Sequence, residues 1–418
     1  MHRQVVKLLL CAGVGLIAFR SLLPQSSVES SSPVEQLRKA LNADVRTTYT
    51  CIKTVSRWDS RRGDVRVRKD QAATGASATY VLAPTSMQGR ITVDDGKLWS
   101  TYNPDKKTLY VQESPVRMLN REEFDRRISL IQQNYKVSGF KSSPVATRKV
   151  VGVQVDPVAK DELYKRSFWV DAERGVILRV AWTHPNGTKK TISDTISIEF
   201  PEKLDENAFK LKLLENPKMV RIQSPRTERT VSSLSKHVGF DVLMPSEMPL
   251  GFLFTRAEAV TGATRTMSAL RFTDGVANVT IYQSPAQSGK PPWRVDEGRG
   301  DFEHDGTYFA IEGDVPDAAR VKIAVSVRET SKETEKNLRQ RAVKQLGASE
   351  KIVGELRDLG LRFSDVAACI YLGKNDAKQV FSAAWSFKKG RSLTEIAQKF
   401  GVRESDVRKI VKSFWNNN

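Results

Sequence analysis

Residues 163–200, LYKRSFWVDAERGVILRVAWTHPNGTKKTISDTISIEF, decide the fold. Three runs rich in Val, Ile, Thr, Phe and Trp are separated by two turn signals, Asp171-Ala-Glu-Arg-Gly175 and Asn186-Gly187. Apolar runs joined this tightly pair as antiparallel neighbours, because a parallel crossover needs a dozen residues or more. The same pattern extends on both sides. Upstream, 49–58, 64–69, 79–84, 89–103 and 106–113 read as successive strands, with turns at Asp94-Asp95-Gly96 and Asn103-Pro104-Asp105. A helix is expected from Val34, where Leu37, Leu41 and Val45 share a face, and another over 120–135 from Phe124, Ile128 and Ile131. Strands resume at 146–158. So many short-turn strands with few helices imply an α+β domain, mainly antiparallel β, built on a curved sheet or half-barrel.

The 418 residues allow more than one domain. A polar, weakly periodic stretch at 212–235 ends the first module, 34–212, and a second follows at 236–330 with four or five strands. Its segment 317–327 reads as a short helix or a last strand. From Ser331 to Asn418 the chain reads as a helical tail. Residues 1–25 carry Arg3 and Lys7, then the apolar run Leu8–Phe19, then Arg20, the order of a secretory signal or a retained N-terminal anchor. The remainder is therefore expected in the periplasm or another extracytoplasmic space. With 39% hydrophobic and 28% charged residues the chain is not disordered, and three Cys exclude a disulfide scaffold. The net charge of +19 is denser in the tail, which has 18 basic and 10 acidic residues, than in the two β-rich modules. Such a surface suits an anionic membrane, an acidic partner or nucleic acid.

Three stretches together resemble the MucB/RseB family of extracytoplasmic sigma-factor regulators: YKRSFWVDAERGVILRVAWTHPNGT (164–188), MPLGFLFTRAEA with ALRFTDGVANVTIYQ (248–283), and FAIEGDVPDAARVKIAVSV (309–327). They occur in the family's order within residues 34–330; the tail departs from it. The resemblance implies a LolA/LolB-like half-barrel with plugging helices, then a smaller α+β domain. It also implies a non-enzymatic periplasmic protein that binds the extracytoplasmic part of an anti-sigma factor and is released by lipid or acylated ligands. An unclosed barrel has an apolar inner face that its own side chains do not fill, leaving room for an acyl chain. The alternating Ile91, Val93, Trp99, Leu109, Val111, Phe168, Val170, Leu178, Val180 and Trp182 are the expected lining. Periodicity alone does not say which face each strand turns inward.

Catalytic chemistry is hard to find in this sequence. His2, His184, His237 and His304 have no partners at ligand spacing, so no metal site is expected. Phosphate-loop and nucleophile-elbow motifs are absent, and no cofactor is implied. Cys51 and Cys369 fall in different modules, which argues against a disulfide. The stretch 392–411 reads as a helix-turn-helix, with Ile396, Ala397, Phe400, Val402, Val407 and Ile410 as internal contacts and Gly401 at the turn. Two further functions follow: a LolA-like periplasmic lipoprotein carrier using the same cavity, or DNA binding through this helix pair. The second conflicts with the exported N-terminus.

Overall fold

Helix α1 (Pro33–Arg46) buries Leu37 and Ala40 and leads within three residues into β1 (Tyr49–Val55). The computed structural model describes residues 32–56, 63–114, 121–159, 162–211, 216–261, 266–286 and 300–416. The basic-then-apolar segment 1–25 lies outside them. Antiparallel strands β2 (Val65–Gln71), β3 (Ser77–Ala83), β4 (Ile91–Asp94), β5 (Leu98–Asn103) and β6 (Thr108–Glu113) follow. After α2 (Arg121–Asn134) come β7 (Tyr135–Phe140), β8 (Val150–Pro157), β9 (Lys165–Asp171), β10 (Ile177–Thr183) and β11 (Lys189–Glu199). Strand β1 pairs with both β2 and β11, which joins the two runs into one sheet. The residues read first, 163–200, form β9, β10 and β11 as the turn signals require. At the first turn, the Asp171 carboxylate accepts from the Glu173 and Arg174 amides and pairs with Arg148.

The stretch read as a boundary is not a bare linker. Its first part, β12 (Lys218–Arg221), pairs in parallel with β6 and forms one edge of the sheet. The order is β12-β6-β5-β4-β3-β2-β1-β11-β10-β9-β8-β7, twelve strands with two separate edges, so the sheet is open. Helices α1 and α2 cover part of one face. There Leu37, Ile128 and Ile131 pack with Val153, Val155, Phe168 and Val170.

The second module starts with β13 (Arg226–Glu228) and α3 (Val231–Val238), whose Thr230–Ser233 capping box satisfies amides at its start. Strands β14 (Leu253–Thr261), β15 (Thr266–Thr273), β16 (Asn278–Pro285), β17 (Phe302–His304) and β18 (Thr307–Gly313) complete a six-stranded sheet, in the order β13-β14-β15-β16-β18-β17. Residues 317–328 form helix α4 (Asp317–Arg328), with Ala319, Ile323 and Val327 turned into the core. Their 3–4 spacing favours the helix over the strand alternative.

The tail holds six helices: α5 (Lys332–Leu346), α6 (Glu350–Asp358), α7 (Phe363–Gly373), α8 (Ala377–Lys388), α9 (Leu393–Lys399) and α10 (Glu404–Asn416). Ser331, Ser349, Asp376 and Ser392 each cap a helix start by accepting an amide hydrogen. The tail has its own core, including Leu356, Phe363, Ile370, Val380, Ile396, Val407 and Phe414.

Candidate functional site

Strand register sorts the ten expected lining residues. Ile91 pairs with Tyr102, and Val93 with Ser100; Tyr102 and Ser100 in turn face Leu109 and Val111. Ile91, Val93, Leu109 and Val111 therefore share one face of β4–β6. Leu98 and Tyr102 lie on it too, as does Met219, which pairs with Leu109 from β12. Val93 is buried, Ile91, Leu109 and Val111 are half-buried, and Leu98 and Met219 are 46% and 60% exposed. An apolar surface thus stands partly open to solvent at this end of the sheet. Leu98 and Met219 lie outside the expected set. Met219 sits in the stretch read as a boundary, where its only signal was the short apolar pair Met219-Val220.

Four others lie together at the opposite end. Phe168, Val170 and Val180 are closed off beneath α1 and α2. Trp182 pairs with Arg166 on the same face, with the Arg166 guanidinium 4.4 Å from its ring centre and the Tyr164 ring at 5.2 Å. Arg166 donates to the Val276 and Asp314 carbonyls of the second module, at 3.2 and 3.1 Å, so that module covers this end. The remaining two residues do not join either group. Trp99 pairs with Asp94 and Gln112 and points to the reverse side from Val93. A bulge between Ile177 and Arg179 turns Leu178 into a different core, with Trp169, Val176 and Cys51.

Burial pushes both the Cys51 and Cys369 thiols above their ordinary range, the reverse of what a nucleophile needs, and both are free. Among the described residues no group of three or more His, Cys, Asp or Glu is placed to hold a metal. No described helix is long and apolar enough to cross a membrane. In the helix-turn-helix, α9 and α10 pack through Ile396, Ala397 and Val407 around Gly401. On α10, however, Arg408 is held by Glu404, and Arg403, one residue before the helix, by Asp406. The arginines that would meet phosphates or base edges are paired within the helix, leaving Lys409 and Lys412 outward.

Residues 84–212 match the family model of the MucB/RseB N-terminal domain. The family resemblance read from the sequence is borne out there, and 164–188 lie inside the match. The complex structure of Pseudomonas aeruginosa MucA/MucB is 15% identical, covering 70% of this chain and 96% of that chain at a TM-score of 0.48. A crystal structure of MucB in complex with MucA(peri) is 16% identical, covering 70% and 97% at 0.48. A LolA superfamily protein from Nitrosomonas europaea is 9% identical, covering 43% and 98% at 0.22. No curated protein matches the sequence.

Proposed function

We propose, from the MucB/RseB likeness of residues 84–212, that this chain is an exported, non-enzymatic regulator. It holds the extracytoplasmic part of an anti-sigma factor and senses lipid or an acylated ligand on its open sheet. The observation that carries the lipid reading is the half-open apolar face of Ile91, Leu109, Val111, Leu98 and Met219. An acyl chain laid over such a face removes apolar area from water at roughly 25 cal/mol per Å². Residues 8–19 support export, with or without retention as an anchor. The tail's exposed Lys336, Lys351, Lys374, Lys378, Lys409 and Lys412 support a weak, salt-sensitive contact with an anionic membrane.

The test combines two measurements on the full chain. Native mass spectrometry with added lipopeptide should give an acyl adduct, lost in Leu109→Asp with Val111→Asp. A pull-down from membranes should recover a membrane-anchored partner, released by the same lipopeptide. Adduct formation without any partner would favour the lipoprotein-carrier reading; bare protein throughout would refute lipid sensing.

A further inference from the structure

Helix α2 is held on three sides by three separate parts of the chain. Phe124, Ile128 and Ile131 face the first sheet. Arg127, Ile131 and Asn134 meet the Asp274-Gly275 turn of the second module. Arg127 Nε donates to the Gly275 carbonyl at 3.0 Å, Asn134 Nδ2 donates to the Asp274 carbonyl at 3.0 Å, and the Tyr135 hydroxyl donates to the Asp274 carboxylate. On the remaining side, Arg126, Ser129, Leu130 and Gln133 recur at helical spacing and face the tail's 388–390 turn. Ser129 Oγ and Gln133 Nε2 both donate to the Gly390 carbonyl at 2.6 Å, and Arg126 Nη1 donates to the Lys388 carbonyl at 3.3 Å. Lys389 pairs with Glu122 at 3.0 Å. Gly390 has φ +70, and a Cβ there would lie 2.8 Å from Arg126 Cγ, so the turn is fitted closely to the helix.

A 14-residue helix with six charged side chains is marginal in water without such contacts. The tail turn is anchored in its own right. Lys388 Nζ donates to the Leu359 carbonyl at 2.9 Å and lies 4.5 Å from the Phe254 ring centre. Arg357 ties the same bundle to the Met244 and Pro245 carbonyls of the second module. The bundle is thus fixed to the second module while one of its turns holds a helix of the first.

We propose that the tail is a latch on α2: its 388–390 turn keeps the helix down over Phe168, Val170 and Val180. This part of the sheet then opens only when the turn lets go. The latch does not depend on which ligand or partner the protein takes. A partner that draws the bundle away removes one of the three holds on α2, and anything that lifts α2 loosens the bundle.

Hydrogen exchange on the full chain tests this with the double variant Ser129→Ala, Gln133→Ala. The two neutral hydrogen bonds to the Gly390 carbonyl are removed, each worth about fivefold in an opening equilibrium, so α2 amides should exchange about twenty-five-fold faster. Amides of β2 and β3, which α2 does not cover, should be unchanged, which separates local release from general unfolding. Lys389→Ala, which removes only the exposed pair with Glu122, should change α2 exchange by less than about threefold. Unchanged α2 exchange in the double variant, or an equal rise throughout the chain, would overturn the latch.

Discussion

Replacing Gly275 by Ala puts a carbon 2.8 Å from the Ile131 amide nitrogen and 2.9 Å from the Arg127 carbonyl oxygen. Both are helix backbone atoms, so neither can yield without breaking α2. The turn must therefore back away, losing the bonds from Arg127, Asn134 and Tyr135. Three such bonds at about 1 kcal/mol each give roughly 3 kcal/mol. Gly275 also sits at φ +100, where an L residue costs a further 1–2 kcal/mol or so. The expected loss is about 4–5 kcal/mol. Gly187→Ala is the control. Its φ is +89, but a Cβ there meets nothing within 4 Å, so it carries the backbone cost alone. Urea unfolding followed by tryptophan fluorescence and circular dichroism should show Gly275→Ala less stable than Gly187→Ala by about 3 kcal/mol. Equal losses, within about 0.5 kcal/mol, would refute the docking role of this turn.

Two further outcomes follow from buried charges. Arg357 is 2% exposed and donates to the Met244, Pro245 and Leu361 carbonyls as well as to Glu335. Arg357→Met should cost about 3–5 kcal/mol in urea unfolding, because Glu335 and three carbonyls lose their donor. Lys388 is drawn down to about 8 by burial, with the Arg126 charge adding to it. Its folded value lies below the unfolded one, so between about pH 8 and 10.5 the unfolded chain binds more protons and stability rises with pH. From pH 7.5 to 9.5 the gain is about 2 kcal/mol. Arg362 lines the same small cavity and, held up by the Asp365 carboxylate against the effect of its burial, keeps its charge across this window. Lys388→Met should abolish the rise, measured as the difference between the two proteins' urea midpoints at each pH.

Much of the fold could be read from residue pattern, and the misreadings have physical causes. Tyr135 reads as the end of the preceding helix and 136–140 carry no reading as a strand, because α2 ends at Asn134 and β7 begins at the next residue, with no turn residue between them. Side-chain parity was the harder problem. Trp99 was grouped with Ile91 and Val93, but the Asp95–Lys97 turn sets it opposite Asp94, which reverses its face. Leu178 alternates correctly with Val180 until the bulge inserts one residue. Neither turn geometry nor a bulge is encoded in a period of two. The Thr-Asp-Gly-Val signature at 273–276 was visible as a hairpin. Its docking against α2 was not, because that depends on a helix 140 residues earlier meeting the turn (Tyr135 to Asp274 is a separation of 139). The tail was legible as helices from spacing and from Gly401 at a turn. Its contacts with α2 run through main-chain carbonyls of Lys388 and Gly390, which no side-chain pattern announces.

The pairing of β12 with β6 has a consequence for biosynthesis. β6 ends at Glu113, and its outer partner is not synthesised until Lys218. At roughly 5–20 residues per second that edge waits about 5–20 s, presenting free amides and carbonyls beside Leu109 and Val111. During synthesis this is an interval in which a chaperone would protect the edge. A fragment stopped at residue 212 would stay in that condition permanently, with β6 as its edge where the intact protein has the short, basic β12.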